Sequence, residues 1–323
     1  KYYMKILAVQ SRMGIGDTVI FLPFIKALSK KFNSPISILV KENSKANQYL
    51  HQTKYIDKIL TLERDNKTNN RHGGFFGIFK LANDLKKYKF DKIFIFNSSL
   101  RFNLIAKLCY IKDVYQYPLF FKKNQNITLS AQKLLESKMG IKVKSDPQIL
   151  VDEKKINSVK ISNNISSNEK NILLGIGGSG STKRIPAKTF LKFMDYCDEN
   201  YKCRFFLATG KLHEEQIILD EILNSKFKQK CIRMDNLRLK ETLPYIKNCN
   251  ISICNDSSFS HLSAALGIPT IVLMADTPII YGSYSPRMHP ILPDGVKEVK
   301  HDTLGKDKIN AQKIYEKFEF LIN

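Results

Sequence analysis

Apolar residues recur along the chain in compact blocks of two alternating kinds. Short runs stand at residues 5–11 (KILAVQS), 36–40 (ISILV), 58–62 (KILTL) and 92–96 (KIFIF). Runs of this length, rich in Ile, Leu, Val and Phe, predict strands, most of them buried. Between the first two, Val19, Leu22, Phe24, Ile25 and Leu28 repeat at helical spacing and predict a helix over 17–32. A second helix is expected near 78–87. The rhythm restarts beyond residue 170. Strands at 171–176, 203–209, 231–234, 251–254 and 270–274 alternate with helices at 186–199, 214–226, 239–248 and 257–266, and an amphipathic helix occupies 310–323.

Strand–helix alternation of this kind builds parallel sheets covered by helices. Two such series predict an α/β fold of two Rossmann-like, doubly wound parallel-sheet domains, with ligands bound beyond the carboxyl ends of the strands. The polar, Ser- and Asn-rich stretch 159–170 is read as the linker. It separates a first domain at 1–158 from a second at 171–308, with a terminal segment at 309–323. A long polar loop, ERDNKTNNRHGGFFG, fills 63–77. Loops of that length are often functional, and Arg64, Arg71 and His72 suit closure over an anionic acceptor.

Length and charge sharpen this picture. A chain of 323 residues suits two domains. Fifty-two Lys and Arg against 30 Asp and Glu give a net charge of +22. That balance points to an anionic partner, or to lysines scattered over solvated faces. No nucleic-acid motif accompanies the charge, and nucleic acid is not an expected partner. Six cysteines, none in a C-x-x-C pair, read as buried free thiols in a reducing compartment rather than a zinc site. The start has too short an apolar core for a signal peptide. No apolar run reaches the roughly eighteen residues of a membrane span. The expectation is a cytoplasmic protein, with peripheral contact to an anionic inner-membrane face through its basic surface.

Three stretches carry candidate chemistry. SRMGIGDTVIFLPFIKAL, residues 11–28, is a glycine turn opening a helix. Such turns usually cradle phosphate on outward-pointing amides, yet here Asp17 stands at the mouth. Its carboxylate either caps the helix or serves as a general base. Gly14 and Gly16 let the backbone turn tightly and admit a substrate, and Arg12 lies beside them. LLGIGGSGSTKRIPAKTF, residues 173–190, satisfies the dinucleotide pattern through Gly175, Gly177 and Gly180. Pro186 delays the helix start, however, and no acid closes the next strand. Gly178, Ser179, Thr182 and Lys183 instead suit a diphosphate held by amides and a cation. Arg184 is open to a phosphate role or to a solvated one. CNDSSFSHLSAALGIPTIVL, residues 254–273, places Asp256, Ser257, Ser258 and His261 around the first turn of a helix. Asp256 as a cap and His261 as a core histidine remain alternatives.

Together the three stretches resemble glycosyltransferase family nine, the bacterial heptosyltransferases. GIGDTVIFLPFIKAL resembles that family's G-D-x-(V/L)-x-x-x-P-x-(L/I)-x-A-L opening. STKRIPAKTF resembles its T-K-R-W-P-x-x-x-F, and NDSSFSHLSAALGIPTIVL its N-D-T-G-x-x-H-L-A-A-A-L-G-x-P. DTPIIYGSYSP, residues 276–286, resembles the stretch that follows. Order and spacing agree over nearly the whole chain. The departures are Ile185 for the usual aromatic before Pro186, Asp256-Ser257-Ser258 for D-T-G, and GIGGSG at the phosphate loop. They leave the donor open.

The resemblance implies a GT-B fold, with acceptor bound mainly by the first domain and a nucleotide-sugar by the second across a cleft. The last helix would cross back onto the first domain. It implies inverting, metal-independent transfer of a sugar, heptose from ADP-heptose, onto a lipopolysaccharide-type or other anionic glycolipid acceptor, with no cofactor. Asp17 becomes the catalytic base, which agrees with the need for a carboxylate to take the acceptor's proton. Lys183, His261 and the Ser257 and Ser258 amides would stabilise the leaving diphosphate. Glu214, four residues after Gly210, matches an acid that contacts the ribose. A relative using another donor for a surface glycan is the alternative. A more distant one is an NAD-type oxidoreductase built on Gly175–Gly180.

Overall fold

The computed structural model describes residues 4–64, 70–119 and 126–323. Residues 65–69 of the expected acceptor loop lie outside it. The chain forms two compact units, Lys1–Pro147 and Gln148–Asn323.

The first unit is a five-stranded sheet. Its strands are β1 (Ile6–Gln10), β2 (Ile36–Lys41), β3 (Ile56–Leu62), β4 (Lys92–Ile95) and β5 (Asp113–Gln116), in the order β3-β2-β1-β4-β5. Every pairing is parallel; Ile6 sits opposite Ile36 on one side and Lys92 on the other. All five residues of β1 are buried, as expected of a central parallel strand covered on both faces. Helix α1 (Ile15–Phe32) follows β1 and buries Val19, Leu22, Ile25 and Leu28 along one stripe. It ends at Asn33 in the left-handed conformation, whose amide bonds back to the last turn. Helices α2 (Phe76–Lys86) and α3 (Leu100–Leu108) pack on each other, and α4 (Ile127–Met139) packs on α1.

The second unit begins with α5 (Glu153–Ser162). Its six-stranded sheet holds β6 (Lys170–Gly175), β7 (Cys203–Ala208), β8 (Cys231–Arg233), β9 (Ile251–Asn255), β10 (Thr270–Leu273) and β11 (Met288–Ile291), in the order β11-β10-β9-β6-β7-β8. All pairings are again parallel. Helices α6 (Ala187–Asn200), α7 (His213–Leu223), α8 (Leu239–Lys247), α9 (Ser258–Ala265) and α10 (Ala311–Ile322) complete it. Its core runs through Ile172, Leu174, Phe190, Phe193, Phe205 and Phe318.

The structure revises the expected linker and adds a strand. The segment 159–170 is not a free linker: its first part belongs to α5, which is capped by Asp152 and packs on α8. Asn163 donates from Nδ2 to the Tyr245 hydroxyl at 3.3 Å, and Arg204 donates to the Asn163 carbonyl at 2.9 Å. The stretch reads as polar because α5 buries only Ile156. The last helix packs on α6 within the second unit. Phe318 of α10 meets Phe193 of α6 edge-on, and Tyr315 lies beside Tyr196. Strand β11 was not expected, because Pro290 interrupts it; at the edge of the sheet a missing amide is tolerated.

In each sheet the strand order reverses direction at one place, between β1 and β4 and between β6 and β9. Such switch points open a crevice at the carboxyl ends of the strands. The Asp17 turn follows β1. The glycine loop follows β6 and the Asp256 turn follows β9, so these two lie on neighbouring strands.

Candidate functional site

In the first unit the chain leaves β1 and turns through Gly14, whose φ of 102° falls where side chains are strained. Gly14, which has no side chain to cap with, is the N-cap of α1. Asp17 is therefore the third helical residue rather than the N-cap. Gly16 lies inside the first helical turn. Asp17 Oδ1 accepts from Arg12 Nε at 3.1 Å. Ser11 is held by Asn97 Nδ2 at 3.0 Å, which ties the turn to the end of β4.

Arg71 and His72 of the 63–77 loop are held by neighbouring side chains. His72 is buried; its Nδ1 accepts the Glu63 amide at 3.0 Å, so its Nε2 donates to Asp84 at 3.0 Å. Arg71 forks onto Asp84 as well, holding that carboxyl below its ordinary range. The sequence offered these residues as acceptor contacts, whereas their geometry is that of a structural clasp.

In the second unit the glycine loop is locked from beneath. Glu215, buried on α7, accepts the Gly178 amide at 2.7 Å and the Leu212 amide at 3.2 Å. Asn255 at the end of β9 donates to the carbonyls of Ile176 and Gly177 at 2.9 and 3.2 Å. Arg184 is buried and donates to the Gly178 carbonyl at 3.0 Å, so it props the loop and is not solvated at a rim. Gly177 has no room for a side chain: a Cβ would stand 2.5 Å from Glu215 Oε1 and 2.7 Å from Thr209 Oγ1. Beyond the glycines comes a single 3-10 turn at Ser181–Lys183, and α6 opens only at Ala187. A dinucleotide fingerprint runs directly into its helix, so this loop departs from that design. Ser179 is exposed, and Thr182 hydrogen-bonds Asp276.

Lys183 Nζ reaches from this loop to Asp256 Oδ2 at 2.9 Å, joining the two motifs. Asp256 also accepts from the Thr277 hydroxyl. Burial alone would raise its carboxyl, but Lys183, with His261 and Thr277, keeps it below the ordinary range. His261 Nε2 stands 3.9 Å from Asp256, and its Nδ1 is 2.8 Å from the Tyr284 hydroxyl, with the two rings stacked. Burial pushes His261 down to about 4, Asp256 opposing and Lys183 assisting, so the imidazole is neutral at pH 7. Ser257 caps α9 through its backbone, and Ser258 begins the helix. The buried Ser257 hydroxyl has no hydrogen-bond partner among the described residues. Lys183, paired with Asp256, and Ser257 stand at the start of α9, whose opening amides carry partial positive charge.

The structure thus joins Gly178, Lys183, Asp256, Ser257 and His261. Glu214 is exposed, while its neighbour Glu215 faces the glycine loop. Sequence reasoning passed over Glu215. The available signal was its spacing of three residues from the helix cap, where an acid reaches back to a backbone amide. Among the described residues no three His, Cys, Asp or Glu side chains gather as a metal cluster would require, and no helix is long and apolar enough to cross a membrane. The six cysteines are unpaired thiols, five of them buried.

Known proteins of one family resemble this chain in sequence and fold. The family model of glycosyltransferase family 9 (heptosyltransferase) matches residues 78–303. Lipopolysaccharide heptosyltransferase 1 of Campylobacter coli is 24% identical over 316 residues, covering 91% of this chain and 90% of that protein. The family 9 glycosyltransferase structure from Veillonella parvula superposes with a TM-score of 0.79 at 19% identity, over 99% of this chain and 97% of that one. The ADP-heptose lipopolysaccharide heptosyltransferase II of E. coli gives a TM-score of 0.72 at 17% identity, over 99% and 98%. The fold is therefore of the GT-B type, and the chain belongs to glycosyltransferase family 9, the heptosyltransferases.

Proposed function

We propose that this glycosyltransferase moves heptose from ADP-heptose onto a lipopolysaccharide-type acceptor, with Asp17 as general base. The observation that carries the reading is the division of charge between the two switch points. The first sheet offers a carboxylate, and the second offers a cation beside helix amides. In the proposed step the Asp17 carboxylate takes the proton of an acceptor hydroxyl. The oxygen attacks the anomeric carbon with inversion, and ADP leaves with the bonding electron pair. Charge growing on the diphosphate is taken up by Lys183, the Ser257 hydroxyl and the first amides of α9. The nucleotide-sugar is a substrate, and no cofactor enters. The names of the relatives supply the donor and the acceptor class. An acceptor of that class also suggests an enzyme working at the cytoplasmic face of a membrane.

The donor is tested by thermal shift with ADP, UDP, GDP, CMP and NAD in parallel. The reading predicts selective stabilisation by ADP, roughly 2.7 kcal/mol at one hundred times its dissociation constant. A UDP or GDP response would keep the transferase and replace the donor. A response to NAD alone would contradict the reading.

A further inference from the structure

The proposed step makes no use of Asp276, yet this acid is buried. It follows β10 as Asp256 follows β9, so two buried acids stand just beyond the ends of adjacent strands. Together they hold one turn. Asp256 takes the Lys183 ammonium, and Asp276 takes the hydroxyl of Thr182, the residue before it. Both partners lie in the 3-10 turn Ser181–Lys183.

Asp276 also holds a strap of chain at 303–306. Its Oδ1 accepts the Leu304 amide at 2.8 Å, and the Thr303 amide bonds the carboxylate as well. The Gly305 amide bonds the Ala275 carbonyl at 3.0 Å. A Cβ on Gly305 would collide with Pro293 and crowd that carbonyl, so the strap lies tight against the strand end. Lys306 Nζ donates to the Ser181 carbonyl at 3.3 Å, and the strap thereby meets the turn a second time. Leu304 has a φ of 53° and Asp302 one of 72°, both in the left-handed region. Such conformations persist where the surroundings fix them. The Leu304 side chain is 61% exposed, so burial of that side chain does not repay the strain. The bond from its amide to Asp276 is what fixes it.

A carboxylate suits this junction. It accepts only, and its two oxygens can meet two amides and a hydroxyl at once. Buried without those donors it would be costly. Burial alone would raise its carboxyl, but the Leu304 amide, the Thr182 hydroxyl and the Thr303 amide hold it below the ordinary range. Lysine, by contrast, carries its charge on a flexible stem. Where the Lys183 ammonium stands depends on the turn that carries it.

We propose that Asp276 is a positioning residue of the donor site: through Thr182 it locks the Ser181–Lys183 turn to the 303–306 strap and so fixes where Lys183 meets the nucleotide diphosphate. This rests on the reading that Lys183 meets that diphosphate. Calorimetry with ADP and with adenosine tests it. Thr182→Val is the cleaner variant, because it cuts the bond between carboxylate and turn and leaves the strap amides in place. It should weaken ADP about tenfold, the scale of one lost hydrogen bond, with adenosine affinity within twofold and Tm unchanged. Asp276→Asn should show the same loss for ADP with a lower Tm. Because both act through Lys183, Thr182→Val should change ADP affinity less than twofold in a Lys183→Met background, and equally little in an Asp276→Asn background. Unchanged ADP affinity in Thr182→Val would overturn the inference, as would equal weakening of ADP and adenosine. A full further loss in the Asp276→Asn background would also overturn it, since Thr182 would then meet the phosphate itself. So would a full loss in the Lys183→Met background. If Lys183→Met weakens ADP and Thr182→Val does not, the positioning role alone falls. If Lys183→Met leaves ADP binding intact, the donor reading falls and takes this inference with it.

Discussion

Lys183 stands against a buried carboxylate, and that pairing sets what its removal does. Lys183→Met takes away the cation that keeps Asp256 ionised and the donor expected to meet the nucleotide diphosphate. A charge-assisted hydrogen bond of this kind is worth about 1.5–3 kcal/mol. Calorimetry should therefore show ADP binding weakened by roughly 10- to 150-fold, with adenosine binding unchanged. Equal weakening of both ligands would place Lys183 away from the phosphates. At this scale the sequence was informative wherever a residue type is scarce for physical reasons. An acid at the mouth of a glycine turn is unusual, and Asp17 was visible on that ground. Lys183 was visible because a cation follows a glycine loop. The capping geometry that separates Glu214 from Glu215 turns on a single residue of helical phase, which composition cannot fix. His72 looks like a ligand in the sequence because its partner Asp84 stands on another element, and Arg184 because its bond to the Gly178 carbonyl exists only once the loop has folded.

At the scale of elements, the glycine loop after β6 is shaped by what lies under it. Gly177 is pressed against Glu215 and Thr209. Gly177→Ala forces Glu215 off the Gly178 amide, and overpacking of this kind costs about 1–3 kcal/mol. Urea unfolding should show that loss, and ADP affinity should fall with it because the loop changes shape. Unchanged stability and affinity would mean that the loop has slack. The strands and helices that build this site were legible, since fully buried parallel strands leave uninterrupted apolar runs. Two of the elements that were not named show why. Helix α5 hides in a Ser- and Asn-rich stretch because it buries little more than Ile156. Strand β11 hides behind Pro290, which only an edge position permits.

For the whole molecule, the buried histidine couples stability to pH. His261 titrates near 4 in the folded protein, against an ordinary 6.5. The unfolded chain therefore binds more protons between those values. Stability is full above about pH 6.5 and falls as the pH drops toward 4, by up to roughly 3 kcal/mol. Denaturant unfolding at pH 7 and pH 4.5 measures it, and His261→Asn should flatten most of the difference. The same acid loss in that variant would assign it to other groups. Two units of parallel sheet, each with its own switch point, could be read from the repeated rhythm of the chain, but the division at Pro147 could not, because α5 is polar. The central claim is that the first unit supplies the base and the second holds the nucleotide. Asp17→Asn tests it most directly, because the change removes a proton acceptor and keeps the shape. Turnover with ADP-heptose and a heptose-accepting lipopolysaccharide core should fall about 10²–10⁴-fold while the ADP dissociation constant stays within twofold. Retained turnover, or a loss of ADP affinity that accounts for the fall, would contradict the account.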